Sequence, residues 1–331
     1  MGTTDVTLYA KWTDNVAPTV TLDLPATYTS LTVPVTIVPS ETNVKYFFIE
    51  GPTPTSGLVP QDPTPPYTNA PGWITTLPTS YDFRAAGSRT LFVWVKDAAE
   101  NVSTGLVSDV VVITLPDTTP PTITATSSNT TPLAIGETTT LTFTLSSAST
   151  NFTQDDITVV GGTLSQWTAV SSTVYTARFT PDTNRTTAGT INVAAGRFTN
   201  ASGTSNTAMT QLSIQIDTVA PVTPAALTIP AQTGVTAWYY VTTDTFTVRV
   251  ACTLGYTNKI YSRTIAAPTP VIINTTVCTN STYMDVVINP GQASGFYSLS
   301  ATITDTAGNA SGQSNLINIY KDLPETAVTV P

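Results

Sequence analysis

The stretch Asp117-Thr118-Thr119-Pro120-Pro121-Thr122-Ile123 decides the fold, because the chain repeats it. Asp14-Asn15-Val16-Ala17-Pro18-Thr19-Val20 stands 103 residues earlier, and Asp217-Thr218-Val219-Ala220-Pro221-Val222 stands 100 residues later. A weaker copy, Asp322-Leu323-Pro324, follows after another 105. Each copy opens with Asp, passes through Pro and enters an alternating run. Proline fixes φ and removes a backbone donor, so it stiffens a junction and stays out of central strands. A period of about 100 residues suits one two-sheet sandwich. The period predicts domains at 15–116, 117–216 and 217–321, with a remnant strand of a preceding repeat over 1–14 and the start of a next linker over 322–331.

Within each block, short alternating segments lie between turn residues, the pattern of half-buried antiparallel strands. Leu141/Phe143/Leu145, Leu212/Ile214/Ile216 and Phe246/Val248/Val250 are clear cases. No segment shows helical periodicity. Blocks one and three share a finer pattern. Gly87 precedes Asp97 by ten residues, and Gly295 precedes Asp305 by ten. Leu91/Val93/Val95 then match Leu299/Ala301/Ile303 as the inward face of a late strand. Asp97-Ala-Ala-Glu-Asn101 and Asp305-Thr-Ala-Gly-Asn309 follow as turns into the last strand.

Composition narrows the function. Charged residues are 10% of the 331 and apolar residues 40%, enough for real cores. The net charge is −9 with no Lys/Arg cluster, which gives nucleic acid no electrostatic footprint. Histidine is absent, so the commonest general base and metal ligand are missing. Hard oxygen ligands remain, and those favour calcium. No apolar run approaches the roughly 20 residues that cross a bilayer, so no membrane insertion is expected. Met1-Gly2 leads directly into polar sequence, and the chain reads as a segment whose targeting signals lie outside it.

At Pro120-Pro121, Gly136-Glu137, Asp155-Asp156-Ile157-Thr158-Val159, Gly161-Gly162-Thr163-Leu164, Tyr175 and Phe179-Thr180-Pro181, block two resembles the bacterial immunoglobulin-like repeats of large surface adhesins. Blocks one and three resemble a sister type that ends in a D-x-A-G-N turn. The resemblance implies an all-β chain: three tandem immunoglobulin-like antiparallel β-sandwiches arranged end to end. It also implies an extracellular or cell-surface location. Thr4 to Trp12 resembles the closing strand of an internalin-type repeat. Phe198-Thr199-Asn200 departs from the Phe-Thr-Asp usual in block-two relatives, which weakens calcium binding there. Leu323-Pro324-Glu325-Thr326-Ala327 resembles a sortase pentapeptide with Ala replacing Gly, but it falls where the periodic junction is due.

Four sets of residues invite a functional reading. Cys252 and Cys278, 26 apart, form a disulfide or stay as two buried thiols. Asp14, Asp117 and Asp217 at the junctions, with Asp97 and Asp305 at the late turns, are candidate calcium ligands. The plainer reading makes each a turn residue that accepts backbone N–H bonds. Phe92 and Trp94 alternate with the inward set and so point outward. Together with Tyr67 and Trp73 they either form a satellite core under the Pro-rich 50–73 stretch or an aromatic platform for a sugar or protein. Asp155-Asp156 is not a catalytic pair, because adjacent strand residues face opposite sides.

The expected function is structural: a non-enzymatic, monomeric stalk segment that projects a distal binding element. A first-domain module binding host or neighbouring-cell glycan or protein is the alternative. Accessory domains of a secreted polysaccharide-degrading enzyme are a third reading.

Overall fold

A computed structural model describes residues 13–51, 66–232, 238–291 and 293–324. Most of the proposed remnant strand and the last three residues of the pentapeptide lie outside them, as does the middle of the Pro-rich stretch. Among the described residues, regular structure is strand apart from one short 3-10 turn, Gln154–Asp156. The chain divides into two compact units, Met1–Asp117 and Thr118–Pro331.

The first unit holds one core. Strand Lys45–Glu50 pairs antiparallel with Leu91–Lys96, which also pairs with Leu106–Val107. Thr27–Tyr28 runs parallel to Val111–Ile113, which pairs antiparallel with Gly87–Arg89 on its other side. Val20–Asp23 pairs with Thr36–Pro39, and Thr32–Pro34 with Ser80–Asp82. Inward residues Val33, Leu91, Val95 and Val111 are fully enclosed. Removing such side chains from water is the main favourable term, roughly 1.5–3 kcal/mol each.

The second unit holds two cores in sequence. The first is built from a four-stranded sheet in the order Ile123–Ser127, Thr139–Leu145, Val174–Pro181, Gly162–Ala169, and a three-stranded sheet, Ile157–Val160, Gly189–Val193, Leu212–Ile214. Leu141 faces Ala177, and Phe143 faces Tyr175, across the central pair. These residues meet Ile191 and Val193 in one cluster. The paired glycines have separate reasons: Gly161 is left-handed at φ 83°, while a Cβ on Gly162 would lie 2.4 Å from the Thr180 carbonyl oxygen.

The second core of this unit uses a five-stranded sheet in the order Tyr239–Val241, Ile317–Lys321, Gly295–Thr304, Thr257–Thr264, Val271–Val277. A two-stranded sheet, Phe246–Ala251 with Tyr283–Ile288, accompanies it. Val248, Val250, Ile260, Leu299, Ala301 and Ile319 make its centre. The matched inward sets Leu91/Val93/Val95 and Leu299/Ala301/Ile303 are all buried. The sheets are open and the architecture is immunoglobulin-like β-sandwich, as the resemblance implies.

Candidate functional site

The late turns do most of the positioning. In the first sandwich, Asp97 Oδ1 accepts the Asn101 backbone N–H at 2.8 Å, and Asp97 Oδ2 accepts the Asn101 amide at 2.8 Å. That amide also donates to the Asp14 carbonyl at 3.1 Å. In the third, Asn309 repeats every step: backbone N–H to Asp305 Oδ1 at 2.8 Å, amide to Asp305 Oδ2 at 2.9 Å and to the Asp217 carbonyl at 2.8 Å. In both, the final Asn ties the turn to the residue that opens its own block. The second sandwich closes differently. Asn200 replaces the Asp and accepts N–H bonds from Ser202 and Thr204, and its amide reaches the Thr119 carbonyl at 3.3 Å. A carboxylate cannot donate, so the Asn lets one residue do the work of two.

Burial works to raise the Asp97 pKa, but the Asn101 side chain and the N–H groups of Asn101, Ala99 and Glu100 outweigh it and hold the carboxyl below its ordinary range. Asp14 and Asp97 meet a third carboxylate, Glu41, with ligand oxygens all within 4.8 Å of one another. Hard oxygens in that density suit calcium chemically. The sequence carried no signal for Glu41, which arrives by the turn at Asn43, left-handed at φ 60°. Among the described residues no such trio forms around Asp117, Asp217 or Asp305. Asp217 Oδ1 instead accepts the Val219 N–H at 3.3 Å.

The aromatic residues of the first sandwich do not form an open platform. Phe92 and Trp94 are 1% and 0% exposed. Ile74 exchanges both backbone hydrogen bonds with Tyr46, which brings the 67–74 segment over the sheet. Trp73 then packs on Phe47 at 5.4 Å, and Phe47 on Trp94 at 6.4 Å. Lys96 Nζ sits 5.0 Å over the Trp73 ring and donates to the Thr68 carbonyl at 2.6 Å. A Cβ on Gly105 would lie 2.8 Å from the Trp94 indole, so the glycine admits the ring. Tyr67 remains exposed. Both rings are buried and so not open to a ligand, which corrects the platform alternative.

Cys252 and Cys278 are joined, with Cα atoms 5.6 Å apart. Each follows the end of a strand, one in each sheet of the third sandwich, so the bond ties the two sheets. Asn258, fully buried, donates its amide to Cys278 Sγ at 3.0 Å.

The hydrogen bonds at the Asp217-Thr218 joint carried no signal in the sequence. The Asp217 N–H donates to the Leu133 carbonyl at 3.0 Å, and the Thr218 N–H to the Arg185 carbonyl at 2.8 Å. The buried Thr218 hydroxyl donates to the Asp182 carbonyl at 2.7 Å and accepts the Arg185 N–H at 3.0 Å. From the other side, Asn309 holds the Asp217 carbonyl and accepts the Ile135 N–H at 2.7 Å. Asp217 is thus bonded to both sandwiches, and Thr218 to the second.

Residues 117–216 match the family described as Bacterial Ig-like domain. No curated protein shows significant similarity to the chain. Among solved structures, the chain is similar to the FN1–FN3 domains of chicken CNTN1, at 12% identity, covering 89% of this chain and 95% of that one, with a TM-score of 0.31. It is similar to the titin I67–I69 structure at 10% identity, covering 93% and 98%, with a TM-score of 0.32. The fibronectin(III)-like modules of CbhA from Clostridium thermocellum match at 10% identity, covering 60% and 94%, with a TM-score of 0.29.

Proposed function

We propose that this chain is a spacer segment of an extracellular, adhesin-type surface protein, which sets distance and direction and carries no catalytic centre. The joint at Asp217-Thr218 carries this reading. A flexible tether would leave its linking backbone to water. Here Asp217 hydrogen-bonds to both neighbours and Thr218 anchors the linking backbone to the second sandwich, which suits a part that must keep its direction. The repetition near 100 residues adds length, because each sandwich buries its own core. The disulfide fits an oxidising compartment. The bacterial Ig-like match over 117–216 fits a bacterial surface protein. The acidic net charge discourages side-by-side sticking.

Solution scattering on the 331-residue chain tests the reading. A compact globule of this length has a radius of gyration of about 20 Å. A spacer should give a value well above that and an elongated distance distribution. A radius near the globular value would reject it.

A second reading concerns calcium, and it rests on the Asp14/Glu41/Asp97 trio. Calcium bound there would fix the residues that open the first sandwich to its late turn. The metal then adds to a connection that Asn101 already makes.

A further inference from the structure

The outer face of the five-stranded sheet in the third sandwich carries four aromatic rings in unbroken contact. Trp238 meets Phe296 at 5.2 Å, Phe296 meets Tyr320 at 4.9 Å, and Tyr320 meets Tyr240 at 5.9 Å. Register explains the row. Tyr240 pairs with Tyr320, and Tyr320 with Phe296, across three neighbouring strands, so their side chains rise from one face. Tyr240 is 65% exposed and Phe296 48%. Rings in contact and open to water are uncommon on a domain whose core is already complete.

From this geometry we infer that the row is a carbohydrate-binding surface for a pyranose oligosaccharide. A pyranose offers C–H groups on its faces and hydroxyls around its edge. It therefore needs ring faces flanked by hydrogen-bonding groups. One step along the same face, Ser298 bonds to Asn318 at 3.0 Å, and Arg263 stands opposite Ser298 in the register. At the other end, Tyr240 forms the rim of a cleft of about 450 Å³ that Gln232, Thr242 and Thr243 also line. The cleft's carboxylate, Asp285, is held by Arg249 through bonds of 2.7 and 2.9 Å, so it does not call for a cationic ligand. An added peptide strand is disfavoured. The Gln232 amide already occupies both the N–H and the carbonyl of Tyr240 on the edge strand. Exposed rings bordered by hydroxyl, amide and guanidinium groups suit a polyol, neutral or acidic, better than a strand-forming partner. This inference goes beyond the spacer reading and does not depend on it.

Titration of the whole chain with cellohexaose, xylohexaose, mannohexaose and a hexauronate tests it. Binding is followed by the fluorescence of Trp238, with Trp238→Phe to assign the signal. At least one sugar should bind. Tyr240→Ser and Phe296→Ser should each weaken it roughly tenfold, the effect of losing one aromatic contact, with melting unchanged. Binding by none of the four would overturn the assignment, and so would full affinity in the double variant. Sedimentation of the same proteins covers a further occupant: self-association that the two substitutions abolish would assign the face to a second copy and reject the sugar.

Discussion

The first and third sandwiches share a late-strand pattern and a closing turn, yet they use their outer faces in opposite ways. In the first, Phe92 and Trp94 lie on the outer face but are buried, and Trp73 packs beside Trp94 through Phe47. In the third, Ser300 and Thr302 hold those two positions, and the aromatics lie nearer the start of the same strand, at Phe296, which is exposed. The first sandwich gains a second apolar layer. The third is instead tied across its sheets by a disulfide. The same strand scaffold therefore supports either a thickened core or an open aromatic face, and the covering segment decides which.

The largest test of this contrast is Trp94→Ala. A fully buried Trp should cost about 3–5 kcal/mol when truncated, read as a drop in the melting of the first unit. Tyr240→Ser in the third sandwich should stay within about 0.5 kcal/mol. Equal effects from the two would erase the distinction between core and surface. Next in size is Cys252→Ser with Cys278→Ser. Loss of the cross-link should lower the stability of the third sandwich by roughly 3 kcal/mol and leave the first unmoved. No change in denaturant midpoint would mean that the bond constrains nothing that unfolding releases.

Asn101→Ala and Asn309→Ala sharpen the shared part of the comparison. Each strips the side-chain amide from a buried Asp and from the carbonyl that opens the block, and should cost about 1–3 kcal/mol, in the first and third sandwich respectively. A cost confined to one of them would break the equivalence of the turns. The smallest expected effect separates the two turns again. Calcium should raise the melting temperature of the first unit, where Glu41 completes the trio, and Asp97→Asn should remove that rise. The third sandwich, which forms no trio among its described residues, should not respond. A chelator that leaves the first unit unchanged would reduce Asp14 and Asp97 to turn residues.

Much of the fold was legible because period-two alternation and a fixed repeat are properties of the chain alone. Leu141/Phe143/Leu145 and Leu299/Ala301/Ile303 could face only one way once the strands were placed. The late turns were legible for the same reason, since Asp and Asn at a fixed spacing satisfy local N–H groups. The open aromatic row was not. Trp238, Phe296 and Tyr320 lie on three segments far apart in sequence, and only strand order and register bring them together. An outward set could have been read from Trp238 and Tyr240, which alternate with the inward Tyr239 and Val241. The burial of Trp94 likewise depended on where residues 67–74 return to the sheet. The Asn309–Ile135 bond joins residues 174 apart, and no local pattern announces such a pair.

The joint is the most direct place to test the spacer. Spin labels at Thr163→Cys and Thr275→Cys, both exposed, report the distance between the second and third sandwiches in the whole chain with its disulfide intact. A held joint should give one narrow distance distribution, and Asn309→Ala should broaden it. A broad distribution in the unaltered joint, or no response to Asn309→Ala, would contradict a joint fixed by these hydrogen bonds.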